Sequence, residues 1–332
     1  MRRISLLFIF CLICVSCRLP ESGLYFSSNP FLEAKTIVSD ESEIVFFTDM
    51  HVGRENTVDG IKRYDENFFS FLEKKDYPLI ISGGDMADDG AISEDLLNML
   101  GRLTSFQNSM YLETLGNHDW HPYNYRAEDV ASFWYGSVFD TGNHMTYAEK
   151  LLEGLEINEE GDTINTIGRY VVKRSSGEEF LSVYILDNSS RTFSSTLLKW
   201  LSEALDKDRS RYRIVVTHEN ILSGGNLDPS LILFGSADEG EAARFMKIME
   251  KGKVALVLTG HYHKGNVLYG DGSSYTEFIG ASYHSSTSPF ESTAWWYTIS
   301  IDECRNIITI NGIRGESGEV GRTWTIKAKK KL

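Results

Sequence analysis

Five short patterns follow one another along the 332-residue chain: Asp49-Met50-His51, Gly84-Asp85, Gly116-Asn117-His118-Asp119, the isolated His218, and Gly260-His261-Tyr262-His263. Imidazole nitrogens mixed with hard carboxylate and amide oxygens suit borderline divalent ions such as manganese, iron or zinc. Two such ions held close together can clamp the attacking and leaving oxygens of a phosphoryl displacement, and a carboxylate with its two oxygens is a natural bridge between them. In Asp-x-His and His-x-His the donors are alternate residues leaving a strand, so both can turn into one cleft. The glycine before the last pair lets the backbone approach closely. Asn117 offers a neutral carbonyl oxygen. His118, next to it, would lie near the metals without having to bind one, which suits a group that gives a proton to a leaving oxygen.

The elements that must position these residues are legible too. Ile44-Val45-Phe46-Phe47, Pro78-Leu79-Ile80-Ile81, Met110-Tyr111-Leu112, Ile214-Val215-Val216 and Val254 to Leu258 are short apolar runs, and each leads into one of the patterns. Runs of this length read as buried strands. In open α/β sheets, sites form at the carboxyl ends of strands, so separate strands can deliver ligands to one rim. Apolar stripes at Phe68-Phe69-Phe71-Leu72, at Leu96 to Leu103 behind a Ser93 N-cap, at Leu197-Leu198-Leu201-Leu205 and at Phe245-Ile248-Met249 predict intervening helices with core faces. After His263 alternation dominates. Val267–Tyr269 and Tyr275–Phe278 flank a Gly270-Asp271-Gly272 turn, and further strands are expected at 296–301, 307–313 and 323–327. The C-terminal third is therefore expected to form a second sheet packed on the first.

Taken singly, Asp-x-His or His-x-His arises easily by accident. Gly-Asn-His-Asp is more specific, and all five in order, each behind a strand, are a strong signal. The ordered set resembles the calcineurin-like metallophosphoesterase family, in which the pattern reads Asp-x-His, Gly-Asp, Gly-Asn-His-(Asp/Glu), His, Gly-His-x-His. The resemblance covers residues 44 to about 265 and is expected to reach the final strands. It implies an α/β fold, a four-layer α/β/β/α sandwich of two mostly mixed β-sheets with the dimetal site at the strand C-terminal ends. It implies that Asp49, His51 and His263 hold one ion, that Asn117, His218 and His261 hold the other, and that Asp85 bridges them. His118 would be the catalytic histidine, oriented by Asp119, and a metal-bridging hydroxide the nucleophile. Two departures stand out. Gly84-Asp85 is followed by Met86-Ala87-Asp88, and His51 is present, whereas purple acid phosphatases carry a tyrosine after that pair and lack the first histidine. Thr217-His218-Glu219-Asn220 lacks the proline often found shortly after this histidine. His121, His144 and His284 have no partner pattern. His121 and His284 could touch substrate, but satisfied or solvent-exposed histidines are the default.

The start of the chain reads as an export signal. Arg2-Arg3 precede a nearly continuous apolar run from Ile4 to Val15, too short to span a bilayer comfortably. The run ends in Cys14-Val15-Ser16-Cys17, which resembles a bacterial lipoprotein signal with Cys17 as the acylated residue, although Cys14 stands where an aliphatic residue is usual. The plainer alternatives are an ordinary cleaved signal or an uncleaved anchor. The expected organisation is a signal over 1–17, a tether over 18–40 and a metallophosphoesterase domain over 41–332. Residues 120–170 within it are expected to form an irregular insertion near the site, whose aromatics either shape the mouth of the pocket or merely pack the insertion. The mature domain keeps only Cys304 of four cysteines. An internal disulfide is thereby excluded, and Cys304 is expected at a turn or strand edge without a catalytic role. The net charge of -14 disfavours broad nucleic-acid binding; the expected partners are a small phosphorylated substrate and a membrane, through the lipid anchor. Composition assigns no oligomeric state. Two function classes follow: an exported, tethered, dimetal phosphoric ester hydrolase, or a surface lipoprotein that keeps the metal scaffold but acts by binding.

Overall fold

The computed structural model describes residues 34–53, 62–88, 90–120, 146–157, 163–189, 193–222, 239–269, 276–284 and 294–329. The signal with Cys17, most of the tether, most of the aromatic insertion with His121 and His144, and the Gly270-Asp271-Gly272 turn lie outside the described residues. Among the described residues thirteen strands form two mixed sheets. The six-stranded sheet contains β2 (Glu43–Phe47), β3 (Leu79–Ser82), β4 (Met110–Glu113), β11 (Trp295–Asp302), β12 (Ile307–Arg314) and β13 (Val320–Lys327), in the order β13-β12-β11-β2-β3-β4. The seven-stranded sheet contains β1 (Lys35–Val38), β5 (Gly168–Lys173), β6 (Glu179–Ile185), β7 (Tyr212–Val216), β8 (Leu256–Thr259), β9 (Asn266–Tyr269) and β10 (Thr276–Ile279), in the order β1-β5-β6-β7-β8-β10-β9. Among the described residues five helices accompany them: α1 (Asp65–Leu72), α2 (Glu94–Thr104), α3 (Tyr147–Glu153), α4 (Ser195–Lys207) and α5 (Glu239–Lys251).

Side-chain alternation sorts the layers. On β2, Ile44 and Phe46 enter the core between the sheets, together with Ile214, Val216, Leu256 and Leu258 of the opposing sheet. Val45 and Phe47 face the other way, into a core with Phe68 and Phe69 of α1, Leu96 and Leu100 of α2 and Tyr147 of α3. Val215 and Val257 pack outward on Leu197, Leu198 and Leu201 of α4 and Phe245 of α5. Three stacked cores thus produce the α/β/β/α sandwich that the resemblance implied. They also explain why the central strands read as unbroken apolar runs: both faces are buried.

Two expectations differ from what is seen. The C-terminal third does not form a sheet of its own. β9 and β10 complete the seven-stranded sheet beside β8, and β11 pairs antiparallel with β2, so that β11–β13 extend the six-stranded sheet. The free edge of β2 accounts for this, because β11 saturates its main-chain groups and buries Trp296 and Tyr297 on opposite faces. The tether also ends sooner than residue 40: Lys35–Val38 forms β1, parallel to β5 on the sheet edge. Within the insertion, α3 is a regular helix with a complete capping box between Thr146 and Glu149. Cys304 is an exposed free thiol in the turn between β11 and β12.

Candidate metal centre

β2, β3 and β4 run parallel, as do β6, β7, β8 and β10. Their carboxyl ends carry Asp49, Asp85, Asn117, His218 and His261 within a few residues of the last strand position. The strand pairing continues into the loops. Asp49 N donates to Gly84 O (2.9 Å), His51 N to Asp85 O (2.9 Å) and Gly260 N to His218 O (2.8 Å). Asp49, His51, Asp85, His261 and His263 all adopt left-handed backbone, with φ from 47° to 61°. Such conformations cost energy for residues with a Cβ and persist only where the surroundings over-determine them, which is typical of functional sites.

The side chains form two facing groups. In the first, Asp49 Oδ1 lies 2.9 Å from His263 Nε2 and 3.9 Å from His51 Nε2, and the two imidazole nitrogens are 3.5 Å apart. In the second, Asn117 Oδ1 lies 3.2 Å from His218 Nε2 and 2.9 Å from His261 Nδ1. Asp85 belongs to both. Its Oδ2 is 3.9 Å from His51 Nε2 and 3.2 Å from His218 Nε2, while its Oδ1 accepts the His118 amide at 2.7 Å. One carboxylate oxygen, not two, therefore faces the pair of groups.

Electrostatics follow from this crowding. Burial works against charge on Asp49 and Asp85, but the facing imidazoles outweigh it and hold both carboxyls below the usual carboxylate range. Burial likewise opposes charge on His218, yet Asp85 and Asp49 lift it to about 10. Burial, reinforced by a charged His218, drives His261 down to about 3. The donor set fits two divalent ions. Asp49, His51 and His263 offer ligand atoms within 4.8 Å of one another, as do Asp85, His218 and His261. The second nitrogen of His218 is already committed, since Nδ1 donates to Gly83 O at 2.7 Å and leaves Nε2 for a ligand bond.

His118 is placed at the rim, half-buried, with its Nδ1 donating to the Asp88 main-chain oxygen at 2.7 Å. Asp119 takes a different position from the orienting one expected of it. Its carboxylate is fully buried and accepts the amides of Asp85 (3.0 Å), Gly116 (2.8 Å) and Ala87 (2.9 Å), so it ties together the loops after β3 and β4. Burial, with Asp85 and Glu113 nearby, pushes that carboxyl well above the usual range. Asp88 lies against the His118 ring, as does the ring of His51, and the Asp88 carboxylate also lies 3.1 Å from His51 Nδ1.

Sequence reasoning passed over Asp88 and Asn188 as contributors and weighed His284 only as a histidine that could touch substrate. Asp88 reaches the site because the loops after β2 and β3 keep pairing through a Val52–Ala87 bridge, for which the sequence carries no signal. Asn188, after β6, accepts the amides of His218 and Glu219. His284, after β10, is buried with its Nδ1 3.0 Å from Asp49 O and its ring edge-on to those of His51 and His263. The rule that ligands follow strands would have singled out His284.

The sequence matches the family model of calcineurin-like phosphoesterases over residues 42–265. The chain belongs to the calcineurin-like phosphoesterase family. Membership implies a phosphoric ester hydrolase with a dimetal site, and the two facing groups are the candidate ligands, with a third set of closely spaced donors in His51, Asp88 and His118. No curated protein matches the sequence. Among solved structures, the fold is similar to GAP50, the anchor in the inner membrane complex of Plasmodium, at 18% identity and a TM-score of 0.54 over 88% of this chain and 90% of that one. It is also similar to the purple acid phosphatase PPD1 of yellow lupin, at 11% identity and a TM-score of 0.55 over 86% of this chain and 53% of that one. PhoD is a third, at 9% identity and a TM-score of 0.52 over 90% and 72% of the two chains.

Proposed function

We propose that this phosphoesterase hydrolyses a small phosphorylated substrate with the help of two divalent ions, and that it works outside the cytoplasm, tethered to a membrane through Cys17. The observation that carries the hydrolytic reading is Asp85 Oδ2, which stands between two separate imidazole groups. Asp49, His51 and His263 would hold one ion, Asn117, His218 and His261 the other, with Asp85 shared. Manganese, iron or zinc in that position would supply Lewis-acid polarisation of a phosphoryl oxygen and a water acidic enough to ionise near neutral pH.

The chain's own residues do the rest. His118, whose Nδ1 donates to the Asp88 carbonyl, would deliver a proton from its other ring nitrogen to the departing oxygen. Asp119 fixes the amides of Asp85 and Gly116, so the bridging carboxylate and the His118 loop cannot drift apart. Asp49, His51, Asp85 and His218 are at most 1% exposed. Water is thus kept from the back of the site, and charge interactions there stay strong.

The test is release of p-nitrophenol from mono- and bis-(p-nitrophenyl) phosphate with added manganese, iron or zinc. Turnover of the first marks a phosphomonoesterase and of the second a phosphodiesterase. No turnover with any of these ions would favour the other reading, a surface lipoprotein that binds a partner on this scaffold, for which GAP50, an anchor, is the precedent. Among the described residues no helix is long and apolar enough to cross a membrane. Membrane attachment is assigned to Cys17 on the signal-like pattern at the start of the sequence, and Cys17→Ser should move the protein from the membrane to the soluble fraction.

A further inference from the structure

We propose that the loop closing β6, Leu186–Ser189, holds the second half of the metal centre in register, with Asn188 as its positioning residue. The inference rests on the dimetal reading above. Both sides of the stretch that carries Asn117 are fastened to this loop: Thr114 Oγ1 donates to Leu186 O (2.5 Å), and Trp120 Nε1 donates to Ser189 Oγ (2.7 Å). Asn188 fastens the stretch that carries His218. Its Oδ1 accepts from His218 N (3.0 Å) and Glu219 N (2.9 Å), and its Nδ2 donates to Glu219 O (2.8 Å). The loop is itself fixed, since Asp187 Oδ1 accepts from Ser189 N (2.9 Å) and Ser189 Oγ (2.5 Å). The loop itself is buried, with Asp187 and Asn188 each 3% exposed, and only the Trp120 contact reaches a half-buried residue.

The consequence falls on one ion. His218 has its ring fixed by Gly83 O and its main chain fixed by Asn188, so its Nε2 has a single place to be, beside Asn117 Oδ1 and Asp85 Oδ2. Without Asn188, two buried amides and a carbonyl lose their partners. The peptide at 218–219 must then turn to recover hydrogen bonds, and the turn carries Nε2 away from Asn117. Asp49, which His263 contacts, is held by Thr48 Oγ1 and Ser282 Oγ as well as by the amide of His261; only the last lies next to the Gly260 amide that donates to His218 O, so the first ion should feel the change far less than the second.

Metal-free wild type, Asn188→Ala and Asn188→Asp are titrated with manganese by calorimetry and by electron paramagnetic resonance. Wild type should bind two ions per chain and show the spin-coupled spectrum of a close manganese pair. If it does not, the dimetal reading fails, and the failure is separate from that of this inference. Asn188→Ala should weaken the second ion about 10–100-fold and the first by much less, so that one equivalent gives an isolated-ion spectrum and coupling returns only at higher manganese. Asn188→Asp keeps an acceptor for both amides but sets an oxygen against the Glu219 carbonyl. It should fall between the two, and it carries the test if the alanine variant does not fold. An unchanged second ion in the folded variant, or equal weakening of both ions, overturns the proposal.

Discussion

At the residue scale, the centre works by assigning each donor atom one partner. Asp85 Oδ1 is taken by the His118 amide, which leaves Oδ2 to face both groups of imidazoles. Asp85→Asn keeps the shape and removes the charge, so it should lose both ions together and nearly all activity, as metal analysis would show. His118→Ala is expected to keep both ions and lower turnover by about 10²–10⁴; a large loss of bound metal in that variant would mean that His118 is a ligand. Glu113, at the end of β4, is a separate case. It is fully buried and accepts from the hydroxyls of Tyr111 (2.5 Å) and Tyr147 (2.7 Å), and burial pushes its carboxyl from 4.5 up to about 7. The folded state thus favours the protonated acid. The stability this group contributes is complete below pH 4.5 and is lost as pH rises through 7, up to about 3 kcal/mol. Urea titrations of the metal-free protein at pH 5 and pH 8 should show that loss, and Glu113→Gln should reduce it. Ligand types were legible in the sequence because Asp-x-His and His-x-His are dictated by metal chemistry. Asp88 was not, since a single aspartate three residues past Asp85 gains meaning only when the Val52–Ala87 bridge sets it against His51.

At the element scale, strands supply stiffness and their ends supply reach. The ligand-bearing strands were legible as apolar runs because layers cover both of their faces. β1, β5 and β6 were not read, and for β6 the reason is plain: it ends in Asp187-Asn188-Ser189, residues that any surface turn would use. The merging of β11 with β2 was equally hidden, as strand pairing across some 250 residues leaves no local trace. Close approach between strand ends explains the glycines of the motifs. A Cβ on Gly116 would run into the carboxylate oxygen and the amide of Asp85. Gly116→Ala should therefore displace the shared carboxylate, and both metal content and melting temperature should fall together. Wild-type metal content in that variant would mean that the loops after β3 and β4 are not locked as described.

At the scale of the whole molecule, the sandwich brings like-charged and mutually repelling groups to one rim, and the ions are what reconciles them. Among the described residues three carboxylates and five imidazoles converge there from both sheets, with Asp85 lifting His218 well above the usual imidazole range in the metal-free protein. Ions that bind only the folded chain stabilise it by mass action, about 2.7 kcal/mol for a site at a hundred times its Kd. Chelation should accordingly lower the melting temperature by several degrees, and added manganese should restore it; melting that ignores chelator would deny the ions a structural role. The most direct test of the account is an anomalous difference map from manganese-loaded crystals. Two peaks about 3.5–4 Å apart, with Asp85 between them, Asp49, His51 and His263 on one and Asn117, His218 and His261 on the other, are the predicted result. A single peak, or peaks that leave Asp85 outside the coordination of either ion, would contradict it.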